Sequence, residues 1–238
     1  MENNPKTTIV ICTYNESKNI VPLIEEIEKL NVVNHDYVII DDNSPDKTGE
    51  IIENLKTKYP ITPIHRKSKL GLGSAYIESF KKIIEKNEAN YIVQLDADWS
   101  HDPNTIPKLI EKMTDFDLAL GSRYIPEGKI ENWNFIRRTI SSFANWGVRK
   151  VLKVPYHDLT GGFKCYKKEV LKKIDLNSIS STGYNFQIET TYLAHLAGFK
   201  ICEIPITFTE RRDGESKFNI GIMLESFIKV LKLRKKHE

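Results

Sequence analysis

The stretch YIVQLDADWSHDP, Tyr91–Pro103, begins as an apolar strand and ends in a burst of acid: Asp96, Asp98 and, past a histidine, Asp102. Ionised carboxylates resist burial, so core packing does not call for them at the end of a buried strand. Either a loop simply solvates them or they hold something cationic. The elements around them decide between these readings.

Upstream, TTIVICT (Thr7–Thr13), YVIID (Tyr37–Asp41) and ITPIH (Ile61–His65) read as buried strands. Between them Ile20, Leu23, Ile24, Ile27 and Leu30 recur at helical spacing, as do Ile51, Ile52 and Leu55 within a helix expected over Thr48–Lys58. A third helix is expected over Ser74–Glu85, entered through glycines, and a fourth over Asn104–Met113. DLALG (Asp117–Gly121) follows as a fifth strand. Strands alternating with helices specify an α/β fold, with a central, mostly parallel sheet covered by helices on both faces.

Beyond Gly121 the alternation becomes irregular. Helices are expected over Phe135–Leu152, Asn185–Ala197 and Phe218–Lys235, with a strand at GFKCY (Gly162–Tyr166). Lys200–Glu210 reads as extended, and Pro205 there suggests a sheet edge. There is no internal repeat or linker. The 238 residues are read as one domain: a nucleotide-type half (1–122), a half that completes the site (123–217) and a C-terminal amphipathic helix (218–238).

Composition narrows the class. A net charge of +3 does not mark a nucleic-acid binder. Cys12, Cys165 and Cys202 are too widely spaced for a zinc site or a disulfide framework, which favours a reducing, cytoplasmic setting. The N-terminal residues show no signal-peptide pattern, and no segment is apolar for the ~18 residues of a spanning helix. Contact with a membrane would then be peripheral, on its cytoplasmic face. Lys229, Lys232, Arg234, Lys235 and Lys236 crowd the C-terminus, either as a solvated tail or as a patch for anionic lipid.

In open α/β sheets ligands bind beyond the carboxyl ends of the strands. Those ends read TYNE (Thr13–Glu16), DDNSPD (Asp41–Asp46), RKSKLGLGSAY (Arg66–Tyr76), DADWSHDP and GSRY (Gly121–Tyr124). Asp96 and Asp98, two apart, converge if the chain turns between them. Such a pair suits Mg²⁺ or Mn²⁺, hard ions that keep several waters and share themselves with substrate phosphates. Asp42 either contacts a ribose or base or caps the next helix, with Ser44 and Asp46 competing for the cap. GLGSA (Gly71–Ala75) lacks the third glycine of a dinucleotide fingerprint and follows the third strand, so it makes a weak Rossmann signal. Arg123, Arg137, Arg138, Arg211, Arg212 and Lys217 add cations suited to more than one phosphate.

Taken together, TYNE, IIDDNSPDKT, LGLGSAY, LDADWSHDP, GSRY, DLTGGFKCY and GESK resemble the inverting glycosyltransferases of the GT-A fold. More narrowly they resemble the polyprenol-phosphate sugar synthases, of which dolichyl-phosphate mannosyltransferases are the type, in the form without transmembrane helices. The resemblance spans about Thr8 to Lys217. It implies that Cys12, Tyr14 and Glu16 line a nucleotide pocket and that Ile40 and Asp42 meet base or ribose. Asp96, Ala97 and Asp98 would approach the diphosphate, and Asp98 would be the main metal ligand, with Ser100 as a further one. Arg123 and Arg137 would face the phosphates, and Arg211 and Lys217 would close over the donor. Three positions depart from the family pattern: Cys12 replaces a proline, Ser100 fills a variable polar place, and Ser142 stands where an arginine is frequent.

The implied reaction moves mannose from GDP-mannose to a polyprenyl (dolichyl) phosphate with inversion. Alternatives are a related transferase using UDP-glucose or a polysaccharide acceptor, a D-x-D phosphohydrolase, and a non-catalytic nucleotide-binding module. A lipid acceptor would bring the chain to a membrane surface, through its C-terminal helix or a membrane-embedded partner. That helix's stripe of Ile220, Met223, Phe227 and Leu231 either lies on lipid or packs on the domain.

Overall fold

The computed structural model describes residues 4–179, 181, 183–210 and 220–237, without the side chains of Tyr184 and residues 220–226. Four strands form a parallel half-sheet: β1 (Thr7–Thr13), β2 (His35–Asp41), β3 (Ile61–His65) and β4 (Tyr91–Asp96). β7 (Lys164–Lys167) lies antiparallel between β4 and β5 (Leu118–Ser122), and β8 (Ile201–Pro205) runs parallel to β5. The order is β3-β2-β1-β4-β7-β5-β8, so Pro205 ends an edge strand, where its missing N–H costs no ladder bond. A separate parallel pair joins β6 (Lys129–Ile130) to β9 (Thr207–Phe208).

Strand periodicity divides the core. Ile9 and Ile11 of β1, with Tyr37, Ile39, Val93 and Leu95, face α1 (Ile20–Lys29), α2 (Thr48–Leu55) and α4 (Ile106–Glu111). Val10 and Cys12, with Val38, Ile40 and Ile92, face α3 (Leu72–Lys86), α6 (Lys168–Lys173) and α7 (Tyr184–Leu196). α5 (Phe135–Leu152) and α8 (Ile220–Lys236) add Val148, Leu152, Val230 and Leu233 to that second layer. Both faces of the parallel strands are thus covered, which is why they read as unbroken apolar runs. The expected helix over Asn104–Met113 is shorter: α4 is flanked by 3₁₀ turns at Pro103–Thr105 and Lys112–Thr114.

The strand order reverses at β1/β4. A crevice is expected beyond the carboxyl ends of the two strands where such an order reverses. Thr13, Asp41 and Asp96 are the last residues of β1, β2 and β4, so three of the polar strand ends meet there.

Candidate active site

Asp96 closes β4, and the chain then turns sharply. Trp99 takes φ 63°, a left-handed conformation that a bulky residue rarely adopts outside sites that hold it in place. Within this turn the Ser100 N–H donates to the Asp98 carboxylate at 3.1 Å. Asp98 is 4 % exposed, and the Asp96 side chain 26 %. The Tyr76 hydroxyl donates to the Leu95 carbonyl at 3.1 Å and to Asp96 at 3.2 Å. Burial, with the Asp96 charge next, pushes the Tyr76 phenol well above its ordinary range, so it remains a donor. His101, buried below the turn, lies flat on Phe163, with ring centroids 5.1 Å apart. Its Nδ1 accepts from the Asp96 N–H at 3.4 Å, and burial holds the imidazole below its usual range against the pull of Asp96 and Asp98.

This donor set fits Mg²⁺ or Mn²⁺. It offers two hard carboxylates and a serine, and among the described residues no cluster of three His, Cys, Asp or Glu side chains makes a closed cage. Such ions complete their shells with water and phosphate oxygens.

Beyond β2, Asp42 serves a loop. Its carboxylate accepts from the amides of Leu70 and Gly71, at 2.9 and 2.7 Å, and from the Arg66 guanidinium at 3.0 Å. Desolvation works to raise its pKa; these donors outweigh it and hold the carboxyl below the usual range. Gly71 has φ 93°, so the first glycine of GLGSA is a backbone requirement of the turn that Asp42 pins. None of the candidates is the helix cap: Lys47 takes that position, and Asp46 before it accepts from the amide and hydroxyl of Thr48, the first residue of α2, and from the Ser17 amide. Asp41 holds the Ser44 amide.

The remaining predicted nucleotide contacts spread over the same rim. Tyr14 is half-buried under the Lys69 ammonium, 3.3 Å from its ring centre. Glu16 accepts from Asn19 at 2.8 Å. Cys12, Ile40 and Ala97 are buried in the apolar layers, so they can offer a ligand mainly their backbone. Burial raises the Cys12 thiol well above its ordinary range and keeps it neutral.

On the other side stands Arg123, one residue past β5. Its guanidinium makes a two-pronged pair with Asp158, at 2.6 and 2.7 Å, and donates to the Thr160 hydroxyl at 2.7 Å. Asp158 also accepts from the amides of Arg123 and Gly161. It is fully buried, yet the Arg123 charge overcomes desolvation and holds the carboxyl below its usual range. Glu203 of β8 accepts from the amides of His157 and Asp158, and Asn145 of α5 accepts from that of Leu159. Arg137 pairs with Glu210 and stacks over Trp133, 4.0 Å from its ring centre. A cavity of about 560 Å³ opens here, lined by Arg123, Tyr124, Arg138, Ser142, Phe143 and Trp146 among others. Arg211 and Lys217 lie outside the described residues.

The segment DLTGG (Asp158–Gly162) joins the two sides. Asp158 grips Arg123, while a Cβ on Gly162 would sit 3.2 Å from an Asp96 carboxylate oxygen. This five-residue loop therefore holds the arginine after β5 and passes directly beside the Asp96 carboxylate that closes β4. Nothing in the sequence around Asp158 signals its role, because its partner lies 35 residues away. Tyr76 and His101 were missed for the same reason: nothing local signals what their side chains meet. Lys164 was also missed. It is buried with its ammonium on the Gln187 carbonyl (2.7 Å) and the Thr190 and Thr191 hydroxyls, and burial lowers its pKa to about 7.

Comparison with known proteins shows the family and the fold. The pattern of the family described as "Glycosyl transferase family 2" matches residues 8–175, and the chain belongs to that family. It is 39% identical over 228 residues to the polyprenol monophosphomannose synthase of Mycolicibacterium smegmatis, covering 94% of this chain and 85% of that one. It is 38% identical to the undecaprenyl-phosphate mannosyltransferase of Micrococcus luteus (93% and 90% covered). It is also 38% identical to the dolichol-phosphate mannosyltransferase of Pyrococcus furiosus (97% and 64% covered). Among solved structures, the glucosyl-3-phosphoglycerate synthase of Mycobacterium tuberculosis in complex with Mn²⁺, uridine diphosphate and phosphoglyceric acid superposes with a TM-score of 0.70. It covers 97% of this chain and 78% of that one, at 17% identity, and shares its fold.

Proposed function

We propose that this member of glycosyl transferase family 2 moves mannose from GDP-mannose to a polyprenyl phosphate, with inversion at the anomeric carbon. The observation that carries this reading is the two-signed site: carboxylates at the end of β4 and arginines around a roomy cavity after β5, with one loop that pairs with Arg123 and passes beside Asp96. The names of the three relatives, each a synthase or transferase acting on a polyprenol-type phosphate, support the same acceptor.

Each half has a separate task. On the donor half the Asp42-pinned loop, Tyr14 and Glu16 shape the nucleotide pocket. Asp96, Asp98 and Ser100 would hold Mg²⁺ or Mn²⁺, which when bound stabilises the charge that grows on the departing diphosphate. On the acceptor half, a phosphate monoester is already largely ionised near neutral pH and needs no general base to remove a proton. It needs a place beside another anion. Arg123, aimed by Asp158, and Arg137, braced by Trp133, screen that repulsion and orient the attacking oxygen. Arg138 and Ser142, both lining the cavity, add polar contacts. Arg211 and Lys217 complete the cation set over the donor in this reading.

The test is transfer of radiolabelled mannose from GDP-mannose to a polyprenyl phosphate, with and without Mg²⁺ or Mn²⁺. A labelled, lipid-extractable product that depends on the metal is expected. Labelling from UDP-glucose instead would reassign the donor, and release of inorganic phosphate alone would overturn the transferase reading.

A further inference from the structure

The proposed acceptor phosphate has two arginines to meet, Arg123 and Arg137, and their ion pairs differ. Arg123 is gripped by Asp158, whose side chain is fully buried. Opening that pair would strand a charge in the interior, so it stays closed. Arg137 pairs with Glu210, whose side chain is 40 % exposed against 17 % for the arginine. A carboxylate in that setting moves from its partner to water at little cost.

The second pair joins residues 73 positions apart, and the fold delivers both. Arg137 lies in the first turn of α5. Its amide donates to the Asn134 side chain at 2.8 Å, and its guanidinium lies over Trp133. The helix N-terminus adds positive potential, and that turn holds no acidic residue of its own, so an anion from elsewhere is favoured. Glu210 supplies it from the end of β9. The Phe208 carbonyl accepts from the Glu131 amide at 2.8 Å, and His101 forms an isolated bridge to Phe208. The Thr209 amide donates to the Ser100 carbonyl at 3.1 Å, and the Phe208 ring meets Trp133 edge-on at 5.5 Å. The backbone is thus held as far as the residue before Glu210, which reaches Arg137 from a fixed base.

We infer that Glu210 is an internal stand-in for the acceptor phosphate: it neutralises Arg137 before the acceptor arrives, and the incoming phosphate displaces it. The inference rests on the proposed role of Arg137 in binding that phosphate. A carboxylate carries one charge; a phosphate monoester carries about 1.5 to 2 near neutral pH, on three oxygens, so the phosphate wins the exchange. Because Arg137 is open to a ligand only while Glu210 is away, the apparent affinity is lowered by the fraction of time it is held. During transfer one phosphate oxygen bonds the anomeric carbon as the bond from that carbon to the diphosphate breaks, and the electron pair leaves with GDP. The acceptor is then a phosphodiester with a single charge. It has lost its advantage over Glu210, which retakes Arg137 as the product leaves. One acid thus raises the threshold for entry and assists release.

The test measures binding of a short, water-soluble prenyl phosphate by calorimetry. It uses the full chain, Glu210→Gln, Arg137→Ala and the double variant. Glu210→Gln keeps the size of the side chain and removes its charge. It should bind the acceptor about threefold to fivefold more tightly, and the matching mannosyl phosphodiester by a similar factor. In steady state its acceptor KM should fall and product inhibition should strengthen. Arg137→Ala should bind more weakly, and adding Glu210→Gln to it should change nothing further, because the acid then has no cation to withhold. Unchanged or weaker binding by Glu210→Gln would overturn the inference and make the acid a support that holds Arg137 in place. So would an equal gain in the Arg137→Ala background, which would be a general effect of removing negative charge. Unchanged binding by Arg137→Ala would instead take Arg137 out of acceptor binding, and the inference with it. A parent that binds no prenyl phosphate would refute the proposed reaction and leave Glu210 no acceptor to mimic.

Discussion

Two buried carboxylates, Asp42 and Asp158, do similar bonding and opposite work. Each accepts from loop amides and from one arginine: Asp42 from Leu70, Gly71 and Arg66, and Asp158 from Arg123, Gly161 and the Arg123 guanidinium. Arg66, with a side chain 5 % exposed, is spent inside the protein to stiffen a glycine turn. Arg123 is equally well paired, yet it lines the cavity. One pair stiffens a loop beyond β3, and the other holds a cation at the wall of the cavity. An aspartate at a strand end therefore announces neither a ligand contact nor a cap by itself; the position of its arginine decides.

Breaking the acceptor pair should have the largest effect. Asp158→Ala removes the buried carboxylate that pairs with the Arg123 guanidinium, and urea unfolding should show a loss of about 3–5 kcal/mol, together with a raised acceptor KM. A loss confined to acceptor KM, with stability intact, would show that Arg123 finds another partner. Asp98→Ala should next lower mannose transfer by ~10²-fold or more while leaving the urea midpoint nearly unchanged. Full metal-dependent turnover in this variant would remove Asp98 from the metal site.

Gly162→Ala sharpens the link between the halves. Its Cβ would crowd the Asp96 oxygens at 3.2 and 3.4 Å, and transfer should fall about tenfold with little change in melting temperature. The smallest effect is expected from Asp42→Asn, costing about 1–2 kcal/mol at neutral pH. The Asp42 pKa is depressed in the folded state, so its contribution is full above the unfolded value near ~3.9 and fades as pH falls through the folded one. The stability gap between parent and variant, followed by denaturation from pH 7 downward, should close below about pH 4. A gap that stays constant with pH would show that shape alone, and not charge, holds the loop.

Much of the donor side was legible in residues. Strands β1 to β5 announced themselves because each is an apolar run closed by polar residues, and the two core layers follow from their period-two alternation. The DAD turn and the arginines after β5 could be placed by strand order alone. The antiparallel insertion of β7 between β4 and β5 could not, because four residues, Lys164–Lys167, carry no signal of direction. Nor could the roles of Tyr76, His101 and Asp158, since a side chain's partner across the sheet leaves no trace in its neighbours.

The C-terminal helix shows the same boundary. Its sequence allowed either packing on the domain or lying on lipid, and the structure divides its apolar residues: Val230 and Leu233 go inward, while Phe227, Ile228 and Leu231 are exposed. Sequence by itself determined the layered α/β core, because burying apolar side chains at fixed periods requires no knowledge of distant contacts. Only the tertiary structure decided which charges face one another and which apolar faces remain uncovered. Those depend on strand order and on loops that bring residues dozens of positions apart within hydrogen-bonding distance.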